Sequence, residues 1–420
     1  MVATLGQASH QNSQCELSQR LIDTGISWST RRCFQRMKSE RRTKPTVMLV
    51  KVGTLANSSK FSHHPELVAI QNLIKSTEKD YRFVFVGTTN KNTHNFRKGS
   101  LYEYDLKTGS PLTTLGYIFR LIFLLFKFRP KRVIIFKDEI FPVSLYCLLV
   151  RATRYSPFFV GGFNYYGYSR LGKSLFYMLM KLNWTFLRLS RFKLNSAFAL
   201  SRYTMDGIIR NVPELRGIVQ LVSYPISPIF KRVDRKTDNI LMVNAGIEPR
   251  KGLHTLIQAM PLMNKNVHLI IKGDIRSTTY MLYLEKLVAE LKLGNRITWN
   301  TNTIDDDELS KLYGKAKLFV FPTLEDALGV AVLEALFCGL PVVGTNNSGV
   351  TDMIIDRRNG ILVPPNDPVR LAEAINGILN DEKLYRTLTQ NTVRVLKDCY
   401  YRNRLTLEQA MKLVVEKDTD

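Results

Sequence analysis

Phe321-Pro-Thr-Leu-Glu-Asp-Ala-Leu-Gly-Val-Ala-Val-Leu-Glu-Ala-Leu-Phe-Cys-Gly-Leu-Pro-Val-Val343 reads as three structural pieces in a row. A buried strand, Lys317–Phe321, ends at Pro322, and a short loop with the acids Glu325 and Asp326 follows. An apolar helix from Gly329 to Cys338 is ended by Gly339 and leads into the next buried strand, Leu340–Gly344. Strand, helix, strand at this spacing is the repeating unit of a parallel sheet, because parallel neighbours need a crossover connection. At the helix N-terminus the N–H groups of Leu328, Gly329 and Val330 have no helical partner, and Gly329 offers no side chain to block the approach. Such a terminus is a ready anion site. Glu334 lies one turn further in, within an otherwise apolar helix. It faces solvent, is salt-bridged, or binds something, because burying a carboxylate alone is costly.

The alternation continues on both sides. Further strands are predicted at Ile240–Ala245, Val267–Lys272, Arg296–Trp299 and Ile361–Val363, with helices at Gly252–Leu262, Tyr280–Lys292, Asp305–Ala316 and Asp367–Asn380. Asp305 followed by Glu308 resembles a capping box, and Asp367-Pro368 supplies an N-cap and a proline at the first helical position. Upstream, strands are predicted at Thr46–Val52, Tyr81–Gly87, Arg132–Phe136, Ser156–Val160, Ser196–Leu200 and Ile218–Val222. Helices are predicted from Pro65, and at Thr114–Phe128, Pro142–Arg151 and Leu171–Lys193. Residues 231–239 (KRVDRKTDN) are charged and aperiodic, which marks a linker. The fold class is therefore α/β, with two Rossmann-like doubly wound domains and a cleft between them. Residues 46–230 form the first domain, 240–395 the second, and 396–420 a C-terminal helix and tail. Residues 1–45 read as a basic, disordered arm, with a transit-like segment or an over-extended start (Met37 and Met48 lie close to the first strand) as alternatives.

The 420 residues carry a net charge of +24, unevenly placed. Residues 1–230 hold 34 Lys and Arg against 12 Asp and Glu, whereas residues 231–420 hold 26 against 24. A basic first half calls for an anionic partner: a nucleic acid, a membrane surface or a phosphorylated substrate. Five scattered cysteines suggest no disulfide framework and a reducing compartment, and the histidines show no metal-ligand spacing. No apolar run is long enough to span a bilayer, and no secretory signal is evident.

The stretch from Phe321 resembles the E-x7-E region of the retaining glycosyltransferases of family 4, which have the GT-B fold. Asp326, Gly329, Glu334, Ala335, Gly339, Pro341, Val342 and Val343 match in register, with Asp326 standing where the family has Glu. Ala245-Gly-Ile-Glu-Pro-Arg-Lys-Gly252 resembles the family's R-K-G segment. Lys272-Gly-Asp274, Ser348-Gly-Val-Thr-Asp352 and Asn359-Gly360 resemble smaller family turns. The resemblance implies that Asp326 and the amides of Leu328, Gly329 and Val330 meet the donor sugar and its diphosphate. It implies that Glu334 holds the ribose hydroxyls and that Lys251 pairs the diphosphate. A second phosphate-binding arginine found in some members has no counterpart near Ala245, so that contact is absent or comes from Arg250. Asp326 and Glu334 are thus the candidate catalytic residues.

The first domain should supply the acceptor side. Many relatives carry a histidine after the fourth strand, and Val160-Gly-Gly-Phe-Asn164 has none. His63 and His64 are either cleft residues or polar loop positions. The segment Arg170–Lys193 mixes leucines with flanking basic residues, which suits a helix against the core or one lying on an anionic bilayer. The resemblance implies transfer with retention, from a nucleotide-diphosphate sugar to a lipid-linked or polysaccharide acceptor. The expected partners are that donor, a glycolipid or glycan acceptor, and an anionic membrane surface met through residues 1–230. The expected location is cytoplasmic, at the inner face of a membrane. No metal or other cofactor is required, the nucleotide sugar being a substrate. Two alternatives are a GT-B sugar-nucleotide epimerase, whose acid and histidine set is not found, and a basic nucleic-acid-binding protein. No nucleic-acid-binding motif is present to support the second.

Overall fold

A computed structural model describes residues 44–52, 65–89, 95–98, 101–107, 111–136, 140–159, 181–232, 240–244 and 246–416. Its strands form two sheets. The first is built on β1 (Thr46–Val52), with β2 (Arg82–Thr89) and β4 (Leu101–Lys107) on one side. On the other side lie β5 (Arg132–Ile135), β6 (Arg154–Phe159), β7 (Ala197–Ala199) and β8 (Val219–Ser223). All these neighbours are parallel. The second sheet comprises β9 (Ile240–Asn244), β10 (His268–Lys272), β11 (Ile297–Asn300), β12 (Leu318–Phe321), β13 (Val342–Thr345) and β14 (Gly360–Val363). Its order is β11-β10-β9-β12-β13-β14, all parallel. The order reverses between β9 and β12, and ligands of doubly wound sheets bind beyond the strand ends at such a point.

Two faces of one strand seed two cores. Val47 and Leu49 point into one cluster, and Met48 and Val50 into another, as the period of a strand requires. Helices α1 (Pro65–Thr77), α2 (Pro111–Phe128) and α3 (Ile140–Leu149) cover this sheet, followed by a helical stretch at 181–189 and α4 (Arg202–Asn211). The second sheet carries α5 (Leu253–Ala259), α6 (Thr278–Glu290), α7 (Asp306–Lys315), α8 (Val330–Phe337), α9 (Pro368–Asn380) and α10 (Glu382–Leu396). The predicted caps form. Asp305 accepts from Glu308 N at 2.8 Å and Asp367 from Arg370 N at 2.9 Å.

Two features depart from the sequence reading. An antiparallel edge strand, β3 (Asn95–Lys98), pairs with β4, and neither strand was predicted. The run Leu101-Tyr-Glu-Tyr-Asp-Leu-Lys107 does alternate with the strand period, but it is short and charged. The C-terminal segment is also more than a helix and tail. After a π-helical turn (Lys397–Tyr401), β15 (Leu405–Thr406) joins the first sheet beside β8, and α11 (Leu407–Glu416) packs on that sheet's core. Buried Arg132 donates to the Val414 carbonyl at 3.0 Å, and Tyr224 N donates to the Tyr400 hydroxyl at 3.0 Å. The chain therefore crosses back from the second sheet to the first. The proposed linker falls largely outside the described residues, as do His63, His64 and the first half of the Arg170–Lys193 segment.

Candidate active site

Loops after β9 and β12 meet at the point where the second sheet's order reverses. The first loop ends in a single 3-10 turn, Pro249–Lys251. Gly252 then takes a left-handed conformation (φ +63°) as the N-cap of α5. A side chain there would overlap the Pro322 carbonyl oxygen, which only glycine avoids. The close passage is held by Leu324 N donating to the Arg250 carbonyl at 2.9 Å and by Thr323 Oγ1 donating to the same oxygen at 3.1 Å.

That contact sets Lys251 and Arg250 on Asp326. Lys251 Nζ lies 2.5 Å from Asp326 Oδ2, and Arg250 Nη1 lies 3.3 Å from the same oxygen. Arg250 also reaches Glu248 at 2.8 Å. The other oxygen, Asp326 Oδ1, accepts from Leu328 N at 3.2 Å and Gly329 N at 3.1 Å. This corrects the expectation that these amides stand free. In this state the aspartate carboxylate occupies the anion seat itself. Gly329, with φ +83°, is the N-cap of α8, so the helix starts one residue later than expected.

Burial pushes the Asp326 carboxyl up, but the charges of Lys251 and Arg250 outweigh burial and hold it below its ordinary 3.8. A carboxyl lowered by folding adds stability above its unfolded pKa, and that stability is lost as pH falls through the folded value. The cluster is therefore intact at neutral pH and is lost only as acid protonates Asp326. Asp326→Asn should free the two cations for an incoming anion. Inorganic pyrophosphate is expected to bind about tenfold more tightly to this variant in calorimetry, the worth of one charge-assisted hydrogen bond. Unchanged affinity would mean that the carboxylate does not compete for the seat.

Glu334 projects from α8 toward the same space. It is half-buried, and its Oε2 accepts from the Tyr313 hydroxyl at 2.8 Å. Lys251, Asp326, Leu328, Gly329, Val330 and Glu334 line one cavity of about 310 Å³. Arg250 is not in that lining and acts on it through Asp326. Glu66, Leu200 and Tyr224 complete the wall from the first domain. Burial, then the charge of Glu334, pushes the Tyr224 hydroxyl up, so it remains a neutral donor. None of these three was singled out as a site residue. Their signal is weak in one dimension, because Leu200 and Tyr224 follow the ends of β7 and β8, Glu66 lies in the first turn of α1, and all three are far in the chain from residues 251–334.

The two halves are pinned beside the cavity. Ser201, the N-cap of α4, donates to the Ala327 carbonyl, and Thr204 Oγ1 donates to it at 3.2 Å. Asp352, from the turn after β13, accepts from Arg202 N at 2.7 Å and pairs with Arg404 Nη2 at 2.5 Å. Arg404 also donates to the Leu200 carbonyl at 2.9 Å. Among the described residues no cluster of three or more His, Cys, Asp or Glu is arranged to hold a metal ion.

Two parallel sheets facing a shared cavity, the second with its reversal point at the cation and acid loops, define a GT-B fold. Anabaena HepE, solved in complex with UDP, matches 84% of this chain and 95% of its own at a TM-score of 0.61 and 13% identity. Residues 227–395 match the family described as Glycosyl transferases group 1. An uncharacterized glycosyltransferase of Methanocaldococcus jannaschii is 31% identical over 155 residues, which is 36% of this chain and 38% of that protein. The capsular polysaccharide biosynthesis glycosyltransferase CapM of Staphylococcus aureus is 29% identical over 161 residues, 37% of this chain and 40% of CapM. The matched region thus spans about two fifths of these relatives.

Proposed function

We propose that the chain transfers a sugar, with retention, from a nucleoside-diphosphate sugar to a glycan or glycolipid acceptor at an anionic membrane surface. The observation that carries the donor half is the single cavity joining Lys251, Asp326, the α8 N-terminus and Glu334. A diphosphate entering it takes over Lys251 and the Leu328 and Gly329 amides, and releases Asp326 toward the sugar. Glu334 accepts from the ribose hydroxyls, and the N-terminus of α8 stabilises charge on the departing diphosphate. A solved neighbour of the same fold, Anabaena HepE, was determined in complex with UDP.

The membrane half rests on the outer face of the first domain. α2, α3 and the helical stretch at 181–189 cover one side of the sheet through Leu121, Val143 and Leu187. Their outward surface, with the 3-10 turn Arg191–Lys193 that follows, leaves Phe119 72%, Phe123 64%, Leu149 67% and Phe192 60% exposed. Exposed Arg120, Lys127, Arg188 and Arg191 lie among them. Exposed aromatics beside cations favour an anionic lipid surface. Among the described residues, no helix is long and apolar enough to cross a membrane.

A thermal-shift panel of UDP-, GDP- and ADP-sugars tests the donor. One of them at a hundredfold excess over its Kd should stabilise the fold by about 2.7 kcal/mol. No shift with any of the three defeats the reading. The membrane half is tested by sedimentation with phosphatidylglycerol against phosphatidylcholine vesicles, and equal partition defeats it.

A further inference from the structure

Glu66, on the cavity wall, forms an ion pair with Lys51. Lys51 lies near the end of β1, and Glu66 lies in the first turn of α1. β1 is where the first sheet's order reverses, with β2 on one side and β5 on the other. The pair therefore stands at the binding edge of the first sheet, as Lys251 and Asp326 do in the second.

Both side chains are nearly dry, at 10% and 11% exposure. Desolvation largely cancels the attraction within such a pair, and apolar residues of similar size would serve stability as well or better. The fold does not call for it. Burial lowers the Lys51 ammonium to about 8, so it is still largely charged at neutral pH. It also lies 5.8 Å from the centre of the Phe136 ring. Among the described residues that line the cavity, Glu66 is the charged group that the first domain contributes; Leu200 and Tyr224 are its other two. A carboxylate only accepts hydrogen bonds and repels anions. It can recognise hydroxyls, and it disfavours a phosphate at the same point.

We propose that Glu66 is the acceptor-recognising residue of this site, its carboxylate accepting a hydrogen bond from a hydroxyl of a polyhydroxylated acceptor, with Lys51 as the positioning residue that holds it. This rests on the glycosyl-transfer reading above. In the transfer, the acceptor oxygen bonds to the anomeric carbon as the bond from that carbon to the diphosphate oxygen breaks. The acceptor proton passes to the departing phosphate oxygen. Glu66 keeps its charge throughout and takes no proton.

The test uses the full chain and the sugar nucleotide that stabilises it most, with glycerol and the methyl glycosides of glucose, galactose and mannose as acceptors. Glu66→Gln, which keeps size and shape, should raise the KM for the best acceptor roughly 10- to 100-fold, the worth of a hydrogen bond to a charged group. Affinity for the corresponding nucleoside diphosphate, measured by calorimetry, should not change. Lys51→Met should show the same split. An unchanged acceptor KM in Glu66→Gln overturns the proposal. So does a parallel loss of nucleotide affinity, which would mark a structural role. A wild type that binds nucleotide yet glycosylates none of these polyols also overturns it. Failure to bind any sugar nucleotide would instead defeat the donor reading.

Discussion

Glu334→Ala is expected, on the donor role proposed for it, to reduce sugar transfer by roughly 100-fold or more, because a carboxylate accepting two hydroxyls forfeits two charge-assisted hydrogen bonds. Affinity for the nucleoside diphosphate should fall with it, since the ribose stays bound to the diphosphate in ground and transition states. Melting temperature should hold or rise. The half-buried carboxylate is desolvated by α8 and is answered in the structure by the Tyr313 hydroxyl at 2.8 Å. Such a group is kept for binding at some cost to stability. Two companions separate binding from packing. Glu334→Gln retains the shape with a single acceptor oxygen and should lose less. Tyr313→Phe removes only the supporting hydroxyl and should lose least. An alanine variant with wild-type turnover and wild-type nucleotide affinity would remove Glu334 from the site.

Arg404→Ala is expected to destabilise the chain by about 3–5 kcal/mol in urea unfolding, the usual consequence of stranding one partner of a buried ion pair. The Arg404 and Asp352 side chains are 3% and 2% exposed. Arg404 lies in the segment that returns to the first sheet, and Asp352 in a turn of the second. Removing the guanidinium leaves the Asp352 carboxylate with the Arg202 amide and a marginal contact to the Arg202 side chain at 4.0 Å. It also strips a donor from the Leu200 carbonyl, next to the cavity wall. The double variant Asp352→Ala, Arg404→Ala should recover part of the loss, because no unpaired charge stays buried. A single variant with the wild-type urea midpoint would show that the pair does not hold the halves together.

Legibility in the sequence followed the range of the interactions. Glu334, Asp326 and Gly329 were readable because strand end, loop and helix start are local, and their period and turn chemistry lie within one stretch of chain. Lys251 was found through the resemblance of Ala245–Gly252 to the family's R-K-G segment, supported by its place between a strand and a helix. The edge hairpin was not, because a short charged run such as Leu101–Lys107 becomes a strand only beside β2. Nor was the state of the Leu328 and Gly329 amides. A helix N-terminus predicts an anion, but which anion fills the seat depends on Lys251 and Arg250 holding Asp326 above it.

Taken alone, the sequence determined that the second half is a parallel α/β domain, that Glu334 sits one turn into an apolar helix, and that Asp326 precedes that helix's N-terminus. These follow from periodicity, caps and glycines, which act over a few residues. Tertiary structure alone decided that Glu66, Leu200 and Tyr224 share a cavity with Lys251, Asp326 and Glu334. It alone decided that the C-terminal helix crosses back to the first sheet, and that Asp352 and Arg404 meet in the dry seam between the halves. Such contacts join residues 52 to 282 positions apart, as the Asp352–Arg404 pair and the Arg132–Val414 hydrogen bond do. They form only when two sheets bury a common core, and no local pattern in the chain records that.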